Sequence, residues 1–376
     1  MKTNNQHINN RYQRQIILKG FGQEGQEKLA GARILVIGAG GLGCPALLYL
    51  AAAGIGTIGI VDFDLIQESN LHRQVLFNEA DLGHLKVSIA AQELRKRNSE
   101  INIHEYPIRL EPGNCLSILE KYDFILDGTD NFSTRYMIND ACVLLKKPLI
   151  MGAISQFEGQ VAVLNAVDEK SVNYRDIFPE PPQSGEVLNC AEAGVLGVLP
   201  GIIGVQMANE VIKLITGIGS PLVNQLYTYD ALTNNSQVFE LTKQPAAAEL
   251  LPATREAFEQ TDYEWLCGEK KGIEELDINQ FYTLLQLAKL QIIDVREYGE
   301  TPIPTDFEYI QIPLSELKNR LSEIDSPTVI VFCQSGIRSK KAGELIKNKH
   351  SDLVKIYNLS GGMNKWTSFK QEKNAS

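Results

Sequence analysis

Short, uninterrupted apolar runs alternate with longer amphipathic stretches through the first part of the chain. Ile34-Leu-Val-Ile37, Thr57-Ile-Gly-Ile-Val61, Phe124-Ile-Leu126 and Leu149-Ile-Met151 are too short for helices. Runs of this kind predict strands buried on both faces, as in a parallel sheet. Pro45–Ala53 and Leu85–Arg97 read as the helices between them. The alternation implies right-handed β-α-β units in a doubly wound sheet. Gln160-Val-Ala-Val-Leu164 and Gln225-Leu-Tyr-Thr-Tyr229 read as later strands, with antiparallel pairing open to them. Between them Val195–Ile215 is apolar and Gly-rich, and Pro200 breaks it into a turn and a buried helix.

A second α/β pattern follows a change in composition. Gln244-Pro-Ala-Ala-Ala-Glu-Leu-Leu-Pro-Ala-Thr-Arg255 reads as a linker that continues, in acidic form, to Gly268. Beyond it, Ile292–Val295, Val329–Phe332 and Val354–Tyr357 predict strands, and Leu314–Leu321 a short helix. The turn Ser360-Gly-Gly362 and a terminal helix around Trp366 complete the pattern. The expected division is a first domain over 1–245, a linker over 246–268 and a second domain over 269–376. The fold class is α/β: a Rossmann-like mixed sheet followed by a small α/β domain. The sequence holds no internal repeat, low-complexity tract or coiled coil.

Composition narrows the function classes. With 376 residues, 44% hydrophobic and 22% charged, the chain reads as globular protein of two or three domains. A formal charge of −10 disfavours nucleic acid as a partner. Met1–Asn10 is polar and lacks the apolar region of a secretory signal. No apolar stretch reaches the roughly 18–20 residues of a membrane span. The six cysteines form no C-x-x-C pair, so free thiols in a reducing cytoplasm are expected.

Two motifs carry chemistry. Gly38-Ala-Gly40-Gly41-Leu-Gly43 follows the first strand and opens a helix. Glycines there permit a tight turn and close approach of backbone N–H groups to phosphate. Asp62 ends the next strand, about 20 residues on, where an acid binds ribose hydroxyls. Alone, this fingerprint says dinucleotide, and an NAD-dependent oxidoreductase is the default. Asp62-Phe-Asp64, Ser69-Asn70-Leu-His-Arg73-Gln74 and Lys86 argue otherwise. Two cations near one pocket suit a triphosphate better than a diphosphate. Asp127-Gly-Thr-Asp130-Asn131 ends another strand, and its carboxylate suits Mg²⁺ beside phosphates.

The second motif is Val329-Ile-Val-Phe-Cys333-Gln334-Ser335-Gly336-Ile337-Arg338-Ser339. A strand delivers a cysteine to a loop that leads into a helix. Free N–H groups at a helix start stabilise a thiolate and lower its pKa. Arg338 adds a fixed positive charge, expected to be aimed at the thiol. The run resembles the active-site loop of rhodanese-type sulfurtransferases, which carry sulfur as a cysteine persulfide.

Arg11-Tyr-Gln-Arg14-Gln15, the glycine loop, Asp62-x-Asp64, Ser69-Asn70-Leu-x-Arg73-Gln74, Lys86 and Asp127-x-x-Asp130-Asn131 together resemble the ubiquitin-activating superfamily. The bacterial branch of sulfur-carrier adenylyltransferases (MoeB/ThiF type) is the nearest in pattern, over roughly residues 10–245. The rhodanese resemblance covers about 270–370, and eukaryotic molybdopterin-synthase sulfurylases look similar. The resemblance implies ATP and Mg²⁺, with Arg73 and Lys86 on phosphates, Asp62 on the ribose and Asp130 on Mg²⁺. Asn70 and Gln74 help shape the site. Arg14 resembles an arginine delivered from the second subunit of a homodimer. Cys190, in Leu188-Asn-Cys190-Ala-Glu-Ala-Gly194, matches a cysteine that lies near the acyl-adenylate in related enzymes; a small buried residue before a core helix is the alternative.

Two departures qualify the resemblance. The family often binds structural zinc through two C-x-x-C pairs. Here the corresponding positions read Asn173-Tyr-Arg-Asp176 and Glu264-Trp-Leu-Cys267, so zinc is not expected. Packing of Tyr174, Phe178 and Pro181-Pro182 is expected to take its place. The rhodanese-like part carries Tyr298-Gly-Glu-Thr-Pro-Ile-Pro304 where a His-containing segment is usual. The resemblance implies adenylation of the C-terminal Gly-Gly carboxylate of a ubiquitin-like sulfur carrier protein. A Cys333 persulfide, loaded by a donor such as a cysteine desulfurase, then gives the carrier thiocarboxylate, with Cys190 releasing it. Molybdopterin and thiamine biosynthesis use activators of this type. The competing readings are an NAD oxidoreductase fused to a redox rhodanese, and a scaffold with one active domain.

Overall fold

The computed structural model describes residues 11–166, 171–181, 194–267, 273–285, 290–349 and 355–374. The chain divides into two compact units, Met1–Glu269 and Lys270–Ser376. The first is built on β1 (Arg33–Ile37), β2 (Thr57–Val61), β3 (Asn102–Tyr106), β4 (Phe124–Asp127), β5 (Leu149–Ser155), β6 (Glu158–Leu164), β7 (Gln225–Asp230) and β8 (Ser236–Glu240). They form one sheet in the order β3-β2-β1-β4-β5-β6-β7-β8. β3 through β5 pair in parallel, and β6, β7 and β8 add on antiparallel. The later strands therefore take the antiparallel option.

The apolar runs explain the layering. Ile34, Leu35, Val36, Ile58, Ile60, Ile125 and Leu126 are wholly buried, because helices cover both faces of the parallel part. β3 and β8 escape the sequence pattern for a common reason. Both lie at sheet edges, and Asn-Ile-His-Glu-Tyr and Ser-Gln-Val-Phe-Glu expose much of their length. The expected turn and buried helix are both present, and Pro200 stands in the first turn of Leu199–Thr216, where its missing N–H costs nothing. That helix lies on Gly43–Ala53 at Gly204, where a Cβ would fall 2.4 Å from the carbonyl oxygen of Leu42. The contact fixes the first turn of the helix that follows β1.

The stretch 246–268, expected to be a linker, is built into the first unit through Cys267. Arg255–Gln260 and Tyr263–Leu266 are short helices, the former capped by Thr254. Phe258, Tyr263 and Cys267 are buried in the same cluster as Tyr136, Met137 and Tyr174. The acidic composition hid these three anchors.

The second unit has β9 (Glu274–Leu276), β10 (Gln291–Asp294), β11 (Ile310–Gln311), β12 (Thr328–Phe332) and β13 (Lys355–Leu359). All pair in parallel, in the order β11-β10-β12-β13-β9. One face buries Ile293, Val329, Val331, Ala342 and Ile346. The other buries an aromatic group in which Phe281, Phe307 and Trp366 meet edge to face at centroid distances of 5.3 to 5.5 Å. Among the described residues no helix is long and apolar enough to cross a membrane.

Candidate active sites

The first sheet reverses direction of growth between β1 and β4, and ligands bind outside such a switch point. A cleft of about 410 Å³ opens there, at the ends of β1, β2 and β4. Gly38 leaves β1 with φ of 91°, a conformation that favours glycine, and a Cβ there would lie 3.0 Å from the Gly128 oxygen. At Gly43 a Cβ would lie 1.9 Å from the Gly38 oxygen, so only glycine closes this turn. Gly38, Gly40 and Gly41 line the cleft, and Gly43 lies beneath them as the first residue of the helix.

Charged groups converge on this loop. Asp62 accepts from Ala39 N at 2.7 Å and from Asp64 N at 2.8 Å, so it braces the glycine loop as well as facing the cleft. Burial pushes its carboxyl above the usual range, opposed by Lys86 and by those N–H donors. Lys86 is 6% exposed and donates to Asp64 Oδ2 at 2.8 Å. Arg73 lines the cleft and donates to the Ser69 carbonyl at 2.8 Å. Asp130 and Asn131 stand on the loop after β4. Asn131 caps Phe132–Leu145, accepting from Thr134 N at 2.9 Å. Asn70 is buried and accepts from Gln67 N.

Gln74 supplies the test of fit for a nucleotide. Its Oε1 is buried at the cleft wall without a hydrogen-bond partner. A buried acceptor of this kind is costly unless a ligand donor, such as a hydroxyl, satisfies it. The glycine cradle, the orphaned acceptor and two cations fit a nucleoside polyphosphate. Asp130 and Asp64 supply oxygen donors of the type Mg²⁺ takes.

Sequence reasoning missed Arg135. It lines the cleft and donates to the carbonyls of Thr129 (2.9 Å) and Gly152 (3.4 Å). It also opposes the burial that raises the Asp127 carboxyl. Its position one helical turn after Asn131 was the available signal. Arg14 is exposed on a helical segment over 11–16 and does not line this cleft. Cys190 lies outside the described residues; Val195, five positions on, lines the cleft.

In the second unit the thiol loop forms as expected. β12 delivers Cys333, and the helix Ile337–Lys349 begins four residues later. Cys333 Sγ accepts from Gly336 N at 3.2 Å and Ser339 Oγ at 3.3 Å. Burial alone would raise its pKa. Hydrogen bonds from the Ser339 hydroxyl and from the N–H groups of Ser339, Ser335 and Gly336 outweigh burial and hold it below the ordinary thiol range. Cys44 is the contrast: fully buried beside Asp62, it is pushed up to about 12. Gly336 has φ of 89°, and Asn358 Nδ2 donates to its carbonyl at 3.0 Å. Arg296, 2% exposed, is clasped by Asp294 and donates to Gln334 Oε1 at 3.2 Å. Gln334 in turn donates to Asn364 at 2.7 Å. Ile337 is 76% exposed at the loop's edge.

Arg338 departs from expectation. Its guanidinium does not aim at the thiol; it binds Glu300 through both nitrogens, at 2.6 and 2.7 Å. Hydrogen bonds from neutral donors are the main stabilisation of the Cys333 thiolate, with the Arg338 charge adding an electrostatic attraction. Glu300 comes from the segment that lacks the usual histidine.

Three of the four positions compared with zinc ligands are engaged elsewhere. Asn173 N and Nδ2 donate to Asp176 Oδ2, and Gln244 N donates to Asp176 Oδ1. Glu264 pairs with Arg109. Beside them Arg175, 3% exposed, forks onto Asp140, which also accepts from Tyr263 Oη at 2.9 Å. This donor set does not fit Zn²⁺, which needs four good ligands. Tyr174 packs against Tyr136 and Phe178, so part of the expected aromatic packing is present; Pro182 lies outside the described residues.

Residues 12–250 match the ThiF family and residues 277–369 the rhodanese-like domain. The chain is 42% identical to "Probable adenylyltransferase/sulfurtransferase MoeZ" of Mycobacterium tuberculosis, over 96% of this chain and 93% of that protein. It is 47% identical to the sulfur carrier protein adenylyltransferase of Thermus thermophilus, over 69% of this chain and 96% of that one. In fold it resembles the crystal structure of E. coli MccB with ATP, with a TM-score of 0.56 and 25% identity, over 63% of this chain and 73% of that chain.

Proposed function

The chain belongs to the ThiF family, and on that premise we propose that it activates the C-terminal Gly-Gly carboxylate of a ubiquitin-like sulfur carrier with ATP and converts it to a thiocarboxylate. It is an enzyme of the adenylyltransferase/sulfurtransferase type. The observation that carries the reading is the pairing, in one chain, of a cationic glycine-loop cleft with a thiolate-stabilising cysteine loop. Relatives of both halves lie in adenylyltransferases and sulfurtransferases, which disfavours the oxidoreductase.

The carrier carboxylate is already a nucleophile, so adenylation needs no general base. It attacks the α-phosphorus of ATP; the bond to the bridging oxygen breaks and pyrophosphate leaves. Arg73 and Lys86 stabilise the charge that builds on the phosphate oxygens, and the glycine-loop N–H groups orient them. Lys86 leaves Asp64 for phosphate, freeing a second carboxylate beside Asp130. Asp130 and Asp64 would hold Mg²⁺, which would supply charge neutralisation when bound. Asp62 binds the ribose, and Gln74 Oε1 takes a donor from the nucleoside. Arg14 reaches the cleft of a second copy in a homodimer.

In the second step the terminal sulfur of a Cys333 persulfide attacks the acyl carbon, AMP leaves and an acyl disulfide forms. The Cys190 thiolate cleaves it, releasing the thiocarboxylate and leaving a Cys190–Cys333 disulfide that an external thiol reduces. A cysteine desulfurase is a suitable sulfur source, and the activity belongs to molybdopterin or thiamine biosynthesis in the cytoplasm. The test is ATP–pyrophosphate exchange with candidate carriers, followed by mass spectrometry of the carrier. Carrier-dependent exchange and replacement of the terminal OH by SH are expected. No exchange with any Gly-Gly carrier overturns the proposal.

A further inference from the structure

The sulfur source that loads Cys333 is constrained by a residue no motif singled out. Glu300 and Arg338 are 38 positions apart in sequence and form a two-point ion pair at the rim of the thiol loop. The carboxylate is set in place before any substrate arrives. Glu300 Oε1 also accepts from Glu297 N at 2.8 Å, and Glu300 N donates back to the Glu297 carbonyl. Gly299 completes that turn with φ of 85°. Arg296 Nη1 anchors the following Pro302 carbonyl at 2.9 Å. The neighbouring cations are engaged as well: Arg296 by Asp294, and Lys340 by Glu275 at 3.5 Å.

Resting on the reading of Cys333 as the sulfur-carrying thiol, we propose that Glu300 is a specificity residue: by occupying Arg338 it turns the loop away from small divalent sulfur donors, such as thiosulfate, and toward cysteine-type persulfides. The guanidinium fork matches a planar or tetrahedral oxyanion in two-point contact. Thiosulfate would have to displace a carboxylate already held at three points. Arg338 holds that carboxyl down at about 2, so it remains charged wherever the enzyme works. A persulfide donor makes no such demand, because its sulfane sulfur carries no sulfonate group. The exposed side chains of Tyr298, Ile303 and Ile337, in the same two segments, offer it apolar contact instead.

The two loading reactions balance without an added oxidant. In one, the Cys333 thiolate attacks the outer sulfur of thiosulfate; the S–S bond breaks, sulfite leaves with the electron pair, and the Cys333 persulfide anion remains. In the other, the thiolate attacks the terminal sulfur of a protonated persulfide R–S–SH. The S–S bond breaks, R–S⁻ leaves and takes up the proton from the new persulfide, and the same Cys333 persulfide anion forms. Cyanide then removes the sulfur as thiocyanate and regenerates the thiolate, which gives the assay.

The experiment measures kcat/KM for thiocyanate formation with thiosulfate and with cysteine persulfide, using the full chain. In Glu300→Gln the ratio of thiosulfate to persulfide efficiency should rise about tenfold, the size expected when a charged fork becomes available to an anion. A purely structural role would lower both efficiencies together and leave the ratio where it was. Glu300→Ala should reproduce the rise by truncation, which covers misfolding of either single variant. In Glu300→Gln/Arg338→Ala the gain should vanish, because no fork is left to release. An unchanged or lower ratio in both folded single variants, or a gain that survives loss of Arg338, overturns the proposal. Transfer that persists in Cys333→Ser instead overturns the reading of Cys333, so the two failures are distinguishable.

Discussion

The cleft of the first unit and the thiol loop of the second both lie where a strand ends and a helix begins, and both use backbone N–H groups. They treat charge in opposite ways. The cleft gathers Asp62, Arg73, Lys86, Asp130 and Arg135 from separate elements of the first unit. Its cations are poised to change partners, with Lys86 on Asp64 and Arg73 on a carbonyl. The loop gathers its chemistry into Cys333–Ser339 and stabilises its thiolate with a hydroxyl and N–H dipoles. Its one cation, Arg338, is taken by a carboxylate. A site that must stabilise charge on an incoming polyphosphate keeps cations whose resting partners, a carboxylate and a carbonyl, a phosphate can replace. A site that must stabilise its own nucleophile does better with short, neutral, fixed donors, because a captured cation competes neither for the sulfur nor for the donor.

The largest effect that separates the two sites is removal of the nucleophile. Cys333→Ala should abolish thiocarboxylate formation from any sulfane donor while ATP–pyrophosphate exchange stays within about twofold of wild type, since the thiolate stabilises no adenylation charge. Loss of exchange in this variant would mean that the two sites act as one, and the comparison would break.

Asp130→Ala is the converse. If this carboxylate holds Mg²⁺ as proposed, its loss removes several kcal/mol of transition-state stabilisation, so exchange should fall about 10³-fold with the far-ultraviolet spectrum unchanged. Cyanide-dependent sulfur transfer should not respond. If Arg14 serves the cleft of a second copy in a homodimer, mixing this variant with Arg14→Ala subunits should restore part of the exchange, because each hybrid would then have one site with both residues. Recovery absent after verified subunit exchange would remove Arg14 from the partner's site, and near-normal exchange by Asp130→Ala alone would remove the aspartate.

A smaller effect sharpens the claim about neutral donors. Ser339→Ala deletes the largest of the contributions that lower the Cys333 pKa, leaving burial less opposed. The pKa then rises, so at a pH below the ordinary thiol range less thiolate is present. Iodoacetamide labelling of Cys333 near pH 6 should slow roughly tenfold and recover as pH rises. Equal slowing at every pH would point to altered access and not to altered ionisation.

Much of this was legible in the chain because both sites are announced by contiguous signals. The glycine loop, Asp62 and Asp127–Asn131 follow apolar strand runs at fixed offsets, and Cys333–Ser339 is a single run. What escaped was set by contacts across long separations. Glu300 meets Arg338 only because β10 and β12 are neighbours and their following loops share one end of the sheet. Arg135 was hidden in a helix whose start was recognised for Asp130 and Asn131. β3 and β8 went unseen because edge strands need only a partly apolar face. The helices Arg255–Gln260 and Tyr263–Leu266 read as linker because Phe258, Tyr263 and Cys267 are sparse among acids.

The smallest expected effect concerns a part of the first unit that neither chemistry uses. Purified protein should carry no stoichiometric zinc, and a strong chelator should leave its melting temperature unchanged. The reason is the donor set: Asp176 is bound by Asn173 and Gln244, Glu264 by Arg109, and only Cys267 offers sulfur. The cross-link a metal would supply is made instead by Asp140, which joins Arg175 on one segment to Tyr263 on another. Removing that acid is the matching positive control. Asp140→Ala leaves the Arg175 guanidinium buried without its partner and should cost about 3–5 kcal/mol in denaturant unfolding. One zinc per chain that survives dialysis against chelator, or a melting temperature that falls with chelator, would show that the corner is metal-held after all. Loss of stability on Asp140→Ala together with indifference to chelator would show that an ion pair and a phenol hold together what thiolates and a metal hold elsewhere.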